Sequence, residues 1–169
     1  MKDHGIAAPS AWVERWAPLV ACGTVLDVAC GSGRHAKFFL ERKFKVVAID
    51  REPQVIAGAR FIQADLENGS PWPLPGERFE GIVVTNYLYR PLFPTLAASL
   101  APGGVLIYET FMLGNERFGK PSNPGFLLRP GELLETFKGL TVKAFEEGEV
   151  REPKPAMIQR LCAMRAAKG

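Results

Sequence analysis

Apolar positions along the chain fall into short runs of strand length, separated by stretches with helical spacing. Residues 25–29 (VLDVA), 45–49 (KVVAI), 61–64 (FIQA), 81–85 (GIVVT) and 105–111 (VLIYETF) read as strands, several of them near-continuous apolar runs of the kind buried on both faces. Residues 9–20, 34–42 and 91–100 space their apolar positions as helices do. The first puts Trp12, Trp16 and Leu19 on one face, and the second turns Phe38 and Phe39 toward the strands. Strands alternating with helices predict a parallel α/β sheet. The connection 51–60 is short, with room for a turn or two of helix after Pro53, and residues 68–76 hold three prolines and two glycines and must be loop. A further helix starts at Pro130-Gly131-Glu132 and runs to about residue 137. The last two strands, 140–145 and 156–164, flank a polar turn and are joined too closely for a parallel crossover, so they predict an antiparallel hairpin.

Residues 113–129 carry three glycines and two prolines, few periodic apolar positions and little to bury. Loops of that length inside a compact domain are usually functional. This one leaves the end of the fifth strand, and it predicts a mobile lid.

Composition narrows the class. The 169 residues predict one domain, 1–169, without a linker. Hydrophobic residues are 47% and charged ones 23%, the balance of a water-soluble globular protein, and no apolar run nears the roughly 18–20 residues that span a bilayer. The opening MKDHGIAAPS lacks the apolar core of a secretory signal. Cys22, Cys30 and Cys162, with no C-x-x-C spacing, predict neither a disulfide frame nor a metal site, and a reducing cytoplasm is the expected location. The net charge of +3 neither demands nor excludes nucleic acid. Arg151, Lys154, Arg160, Arg165 and Lys168 gather late in the chain, which reads as a solvated basic face or as a weak RNA footprint.

Gly31-Ser32-Gly33 stands between a predicted strand and a predicted helix, where the backbone can approach a ligand and free N–H groups favour an anion. With Ala36 the spacing satisfies the dinucleotide fingerprint, and Asp50 follows Gly31 by 19 residues, so the loop alone suits a nicotinamide cofactor or S-adenosylmethionine (SAM). Asp27, inside the first strand, is costly as an unpaired carboxylate and would suit a cationic ammonium better than a pyrophosphate.

At this point VLDVACGSGRH resembles the first motif of class I SAM-dependent methyltransferases. Asp50 after KVVAI resembles their ribose-binding acid, Gln63-Ala64-Asp65-Leu66 their adenine-side motif, and SLAPGGVLIYE their Pro-Gly-Gly turn into the fifth strand. The resemblance runs from about Val25 to Met164, with a looser likeness to small bacterial enzymes of the tellurite-resistance and thiopurine type. It implies a doubly wound, mostly parallel seven-stranded Rossmann-like sheet ending in the antiparallel hairpin. It also implies SAM as cofactor, with Asp27, Ala29, Gly31, Gly33, Arg34, Asp50, Arg51, Asp65, Leu66 and Asn86 around it.

For chemistry at the acceptor, Tyr87 and Tyr89 end the fourth strand, on the carboxyl edge where ligands of open α/β sheets bind, and His35 is the one histidine outside the N-terminal tail. Asn86-Tyr87-Leu88-Tyr89 keeps the two ends of the motif used on base amines but lacks both prolines, and no cysteine nucleophile follows the fourth strand. The short 51–60 connection should leave the adenine edge open.

The expected function is methyl transfer from SAM to a small-molecule acceptor. Trp12, Trp16, Phe111, Phe118 and Phe126 would furnish a partly apolar pocket, closed by Arg90 or Arg117 if the acceptor is anionic. RNA is the alternative acceptor. A non-enzymatic SAM-binding partner subunit and a nicotinamide oxidoreductase are the rival functions, the last without its usual catalytic set.

Overall fold

A computed structural model of the chain describes residues 7–167. The expectation for the first six residues, and Lys168 of the basic run, lie outside them. Strands β1 (Thr24–Val28), β2 (Lys45–Asp50), β3 (Arg60–Gln63), β4 (Phe79–Thr85), β5 (Leu100–Phe111), β6 (Thr141–Val150) and β7 (Ala156–Met164) form one sheet in the order β3-β2-β1-β4-β5-β7-β6. The first five are parallel. β7 inserts between β5 and β6 and is antiparallel to both, so the expected hairpin is present. The order reverses between β1 and β4, and that switch point opens a crevice at the carboxyl ends of the strands.

Alternation along the strands divides the core in two. Leu26, Val28, Ile82, Val84, Leu106 and Tyr108 face α3 (Phe93–Ala98) and α4 (Glu132–Thr136), through Phe93, Leu96, Leu133 and Phe137. Val25, Ala48, Val83, Val105 and Ile107 face α1 (Ala11–Trp16) and α2 (Arg34–Glu41), through Trp12, Val13, Ala36 and Phe39. Buried sheet faces covered on both sides make the doubly wound α/β architecture.

Several expectations shift. The first helix is capped by the Ser10 side chain but tightens into a 3₁₀ turn at Ala17–Leu19, where Pro18 sits at the start, and Leu19 is left exposed. Residues 51–60 form no helix. Ile56, 5% exposed, fills the space beside Gly33 on its own. The fifth strand begins at Leu100, because Pro102-Gly103-Gly104 is absorbed into it. A Cβ at Gly104 would lie 2.8 Å from the carbonyl oxygens of both Ala101 and Phe79, so only glycine allows that approach.

The 113–129 loop is not loose. It contains the short 3₁₀ turns Asn115–Arg117 and Pro124–Phe126, and Leu127 and Leu128 are buried. The buried Asn115 amide donates to the Pro121 carbonyl and accepts the Met157 N–H. Arg90 donates to the carbonyls of Gly125 and Leu127 and to both carboxylate oxygens of Glu132. Burial would raise the Glu132 pKa, but the hydrogen bonds from Arg90 and from the Arg129 N–H, with both guanidiniums nearby, hold it below the usual value. Charge-assisted and bidentate, this clamp fastens the segment expected to be a lid.

Candidate active site

β1 and β4 both end in a residue forced into the left-handed backbone region without being glycine. Ala29 has φ 55° and Asn86 φ 54°. Such conformations cost roughly 1–2 kcal/mol and persist only where the surroundings over-determine them. Here the Cys30 N–H bonds to the Ile49 carbonyl and the Asn86 N–H to the Glu109 carbonyl, turning the chain out of the sheet at the switch point.

Against that edge lies a cavity of about 490 Å³. Ala29, Ile49, Asp50 and Arg51 line one side, Ala64, Asp65, Leu66 and Glu67 a second, and Asn86, Tyr87 and Phe126 a third. Asp50 is only half-buried. Its carboxylate accepts the Gly31 N–H at 2.8 Å and the Glu52 N–H at 2.9 Å, one through each oxygen. Each oxygen keeps acceptor capacity, since an ionised carboxylate offers about four lone-pair sites. Asp65 likewise uses one oxygen on the Glu67 N–H and keeps the rest. A Cβ built at Gly31 would meet nothing within 4 Å, so the loop leaves open space above itself.

A second cavity, about 260 Å³, adjoins the first. Glu67, Asn86, Tyr87 and Phe126 line both, and Leu88, Thr110, Phe111 and Pro121 complete the smaller one. The Tyr87 hydroxyl donates to Glu67 at 3.3 Å. Burial and the neighbouring Glu67 and Asp65 push its pKa up, so it stays protonated. The Tyr87 carbonyl accepts the hydroxyl of the buried Tyr108 at 2.8 Å, which fixes the backbone at this corner.

Of the expected residues, Ala29, Asp50, Arg51, Asp65, Leu66, Asn86 and Tyr87 therefore line one cavity. Others do not. Asp27, 2% exposed, accepts the Ala36 N–H and holds the start of α2 from beneath the loop. Burial raises its pKa to about 7 against the lowering effect of that bond and of Arg34. It addresses the helix start rather than the cavity. Gly33, at φ 91°, packs on Ile56 and caps α2. Arg34 turns away and donates to the Ala8 carbonyl. Tyr89 packs against the core at the start of a 3₁₀ turn.

His35 is corrected as a candidate base. It is 2% exposed, its Nε2 accepts the Ser10 N–H at 3.0 Å, and its Nδ1 lies 3.4 Å from the Thr85 hydroxyl. An accepting Nε2 makes Nδ1 the protonated nitrogen. Burial, then the Arg34 charge, lowers its pKa to about 4, so it ties the N-terminal segment to β4 as a neutral ring. Arg90 and Arg117 line neither cavity. The first is committed to the Glu132 clamp, and the second donates to the Gly114 carbonyl and lies over Phe118. Trp12 and Trp16 pack in the core layer on the α1 side, away from both cavities.

One lining residue, Glu67, escaped the sequence reading. Glu67 follows the adenine-side motif by a single residue, and that adjacency was the available signal. Phe111 and Phe126, expected as walls of an acceptor pocket, both line the smaller cavity, and Phe126 also lines the larger one. Among the described residues no group of three or more His, Cys, Asp or Glu side chains could hold a metal ion, and no helix is long and apolar enough to cross a membrane.

Residues 25–104 match the family described as a methyltransferase domain. Trans-aconitate 2-methyltransferase of Methylobacterium nodulans is 34% identical over 112 residues, 60% of this chain and 43% of that protein. The tRNA U34 carboxymethyltransferase of Shewanella piezotolerans is 31% identical over 156 residues, 73% of this chain and 47% of that protein. The chain thus spans less than half the length of these curated relatives. Among solved structures, TehB from Haemophilus influenzae superposes with a TM-score of 0.76 at 17% identity, covering 97% of this chain and 65% of that one. The domain match and these relatives make residues 25–104 similar to methyltransferases, and the seven-stranded fold is one that TehB shares.

Proposed function

We propose that the chain is an enzyme that transfers a methyl group from SAM to a small-molecule acceptor. The observation that carries this reading is the pair of adjoining cavities sharing Glu67, Asn86, Tyr87 and Phe126, at the carboxyl edge of a parallel sheet. The residues of the larger cavity fit SAM. Asp50 has free lone pairs for ribose hydroxyls, Asp65 has them for the adenine amino group, Ile49, Leu66 and Phe126 offer apolar surface to the base, and the loop 29–31 is open toward the methionine half. The volume lies within the roughly 300–1,000 Å³ of small-ligand sites.

Bound there, SAM supplies an electrophilic methyl group on a positively charged sulfur. The protein's part is chiefly positional, because holding two reactants in line supplies much of the rate of a direct displacement. Ala29 and Asn86, held rigidly at the two strand ends, fix the cofactor cavity. Tyr87 and Phe126 stand at the junction and align an acceptor with it. The buried, neutral His35 takes no part in proton transfer.

RNA is the second reading, favoured by the tRNA-modifying relative and the late basic run. Against it, Arg160 is paired with Glu109 and Glu146, and Arg165 donates to the Leu100 carbonyl, so both are spent inside the fold. Calorimetry with SAM and S-adenosylhomocysteine tests the cofactor, with micromolar binding, about 8 kcal/mol, as the expected result. Tritiated SAM offered with small-molecule and RNA pools tests the acceptor. Labelled RNA, together with RNA binding that falls steeply as salt rises, would overturn the small-molecule reading.

A further inference from the structure

Resting on that assignment of methyl transfer to the joined cavities, we propose that the acceptor is a small arylalkyl amine, an aromatic ring bearing a basic amine on a short alkyl arm. It sits in the smaller cavity, with Glu67 as its ion-pairing partner and proton acceptor.

The lining chemistry carries this. Phe111, Phe126 and Leu88 give the smaller cavity apolar and aromatic walls, and about 260 Å³ admits a molecule of one or two rings. Its polar groups are the Glu67 carboxylate, the Asn86 amide and the hydroxyls of Tyr87 and Thr110. Among the described residues that line it there is no Lys, Arg or His. Arg90 is held by Glu132 and two carbonyls, and Arg117 by Gly114 and Phe118, so neither is free to turn in. A carboxylate or phosphate placed here would lose its hydration and face Glu67 without a counter-charge. A protonated amine meets the opposite situation, and a ring attached to it gains edge or face contacts with Phe111, Phe126 and Tyr87.

The Tyr87 hydroxyl, which stays protonated, donates to Glu67 and orients its carboxylate at the junction of the two cavities. The same contact suits the reaction. An ammonium is not a nucleophile, and the charge on sulfur next door disfavours a second positive charge. The acceptor therefore passes its proton to Glu67, and the exposed carboxylate passes it on to solvent. The freed nitrogen lone pair takes the methyl group, a C–N bond forming as the methyl–sulfur bond breaks and its electron pair stays on sulfur. Each turnover yields the N-methylated amine in its ammonium form, S-adenosylhomocysteine and one proton.

The test uses wild type and Glu67→Gln, each saturated with S-adenosylhomocysteine. Calorimetry of that first ligand comes first: its failure sinks the cofactor assignment, whereas success isolates the acceptor question. Three probes of one shape are then titrated by NMR: benzylamine, benzyl alcohol and benzoate. The expected order is benzylamine over benzyl alcohol by about tenfold, with benzoate weakest. Glu67→Gln, likewise saturated with S-adenosylhomocysteine, should erase the preference for benzylamine. Benzoate binding as well as benzylamine, no binding by any probe, or a benzylamine preference unchanged in Glu67→Gln each overturns the proposal. With tritiated SAM, label in alkali-stable products of an arylalkyl amine set supports it, and label released by mild alkali from esters of a matched acid set overturns it.

Discussion

Replacing Asp27 with Asn should make the protein more stable at neutral pH, which runs against the usual fate of a buried polar residue. The Asp27 pKa is raised from 3.8 to about 7, chiefly by burial. Between those values the folded state holds a proton that the unfolded state has lost, so stability falls as pH rises from about 4 to about 7. A shift of roughly three units corresponds to about 4 kcal/mol, fully lost above pH 7. His35 works the other way. Its pKa is lowered from 6.5 to about 4, so its contribution is present above pH 6.5 and is lost as pH falls toward 4, about 3 kcal/mol in all. Across pH 4–6.5 the two slopes oppose each other, so each masks part of the other in wild type. Asp27→Asn keeps an oxygen for the Ala36 N–H and removes only the acid's slope. Urea unfolding at pH 4.5, 5.5, 6.5 and 8 should show the variant gaining stability with pH more steeply than wild type. The gap between them should widen to several kcal/mol by pH 8. Two parallel curves, or a variant that loses stability at pH 8, would refute a buried, proton-holding Asp27.

Asp50→Ala removes the carboxylate proposed for the ribose and the anchor of the Gly31 N–H, and should weaken SAM by about 1–3 kcal/mol in calorimetry while the thermal unfolding curve stays cooperative. Unchanged affinity would remove Asp50 from the cofactor set. Gly33→Ala places a Cβ 2.7 Å from the Ile56 Cδ1 at φ 91°, and should cost about 2–4 kcal/mol by denaturant. Part of that cost should return in an Ile56→Val background, and additive losses would argue against the clash. Arg90→Ala leaves Glu132, whose side chain is 5% exposed, with only the more distant Arg129. The loss should be about 2 kcal/mol, less than for a fully buried pair because Arg90 is partly solvated. Trypsin should then cut after Arg117 in the variant far faster than in wild type, and equal rates would deny that the clamp fastens the loop.

What could be read from the sequence was mostly local and repetitive. The Val- and Ile-rich runs of β1, β2 and β4 and the glycines after β1 declare themselves within a few residues, and so do Asp50 and Asp65, which sit at strand ends. The crossover between β2 and β3 was misjudged because length alone left room for a helical turn, whereas one side chain, Ile56, covers the space. The 113–129 loop looked empty because its anchors are polar and remote: Arg90 and Glu132 lie 42 residues apart, as do Asn115 and Met157. His35 and Asp27 were placed near the ligand by position in the motif, yet a side chain's direction decides its role. Both point into the layer beneath the loop, where burial fixes their charge. Glu67 and Phe126 meet only through tertiary structure, and no pattern within either segment announces their meeting.

The clamp on the 113–129 loop bears on how the protein would choose its partners. A loop that must be ordered on binding takes part of each ligand's interaction energy, about 0.5–1.5 kcal/mol for every side chain immobilised, and adapts to many shapes in return. Here Phe126 and Pro121 are already held, so a well-shaped guest gives up little to enter, and a misshapen one cannot remould the wall. Discrimination then acts at the doorway, by size and charge, and the free and loaded forms of the site should superpose closely.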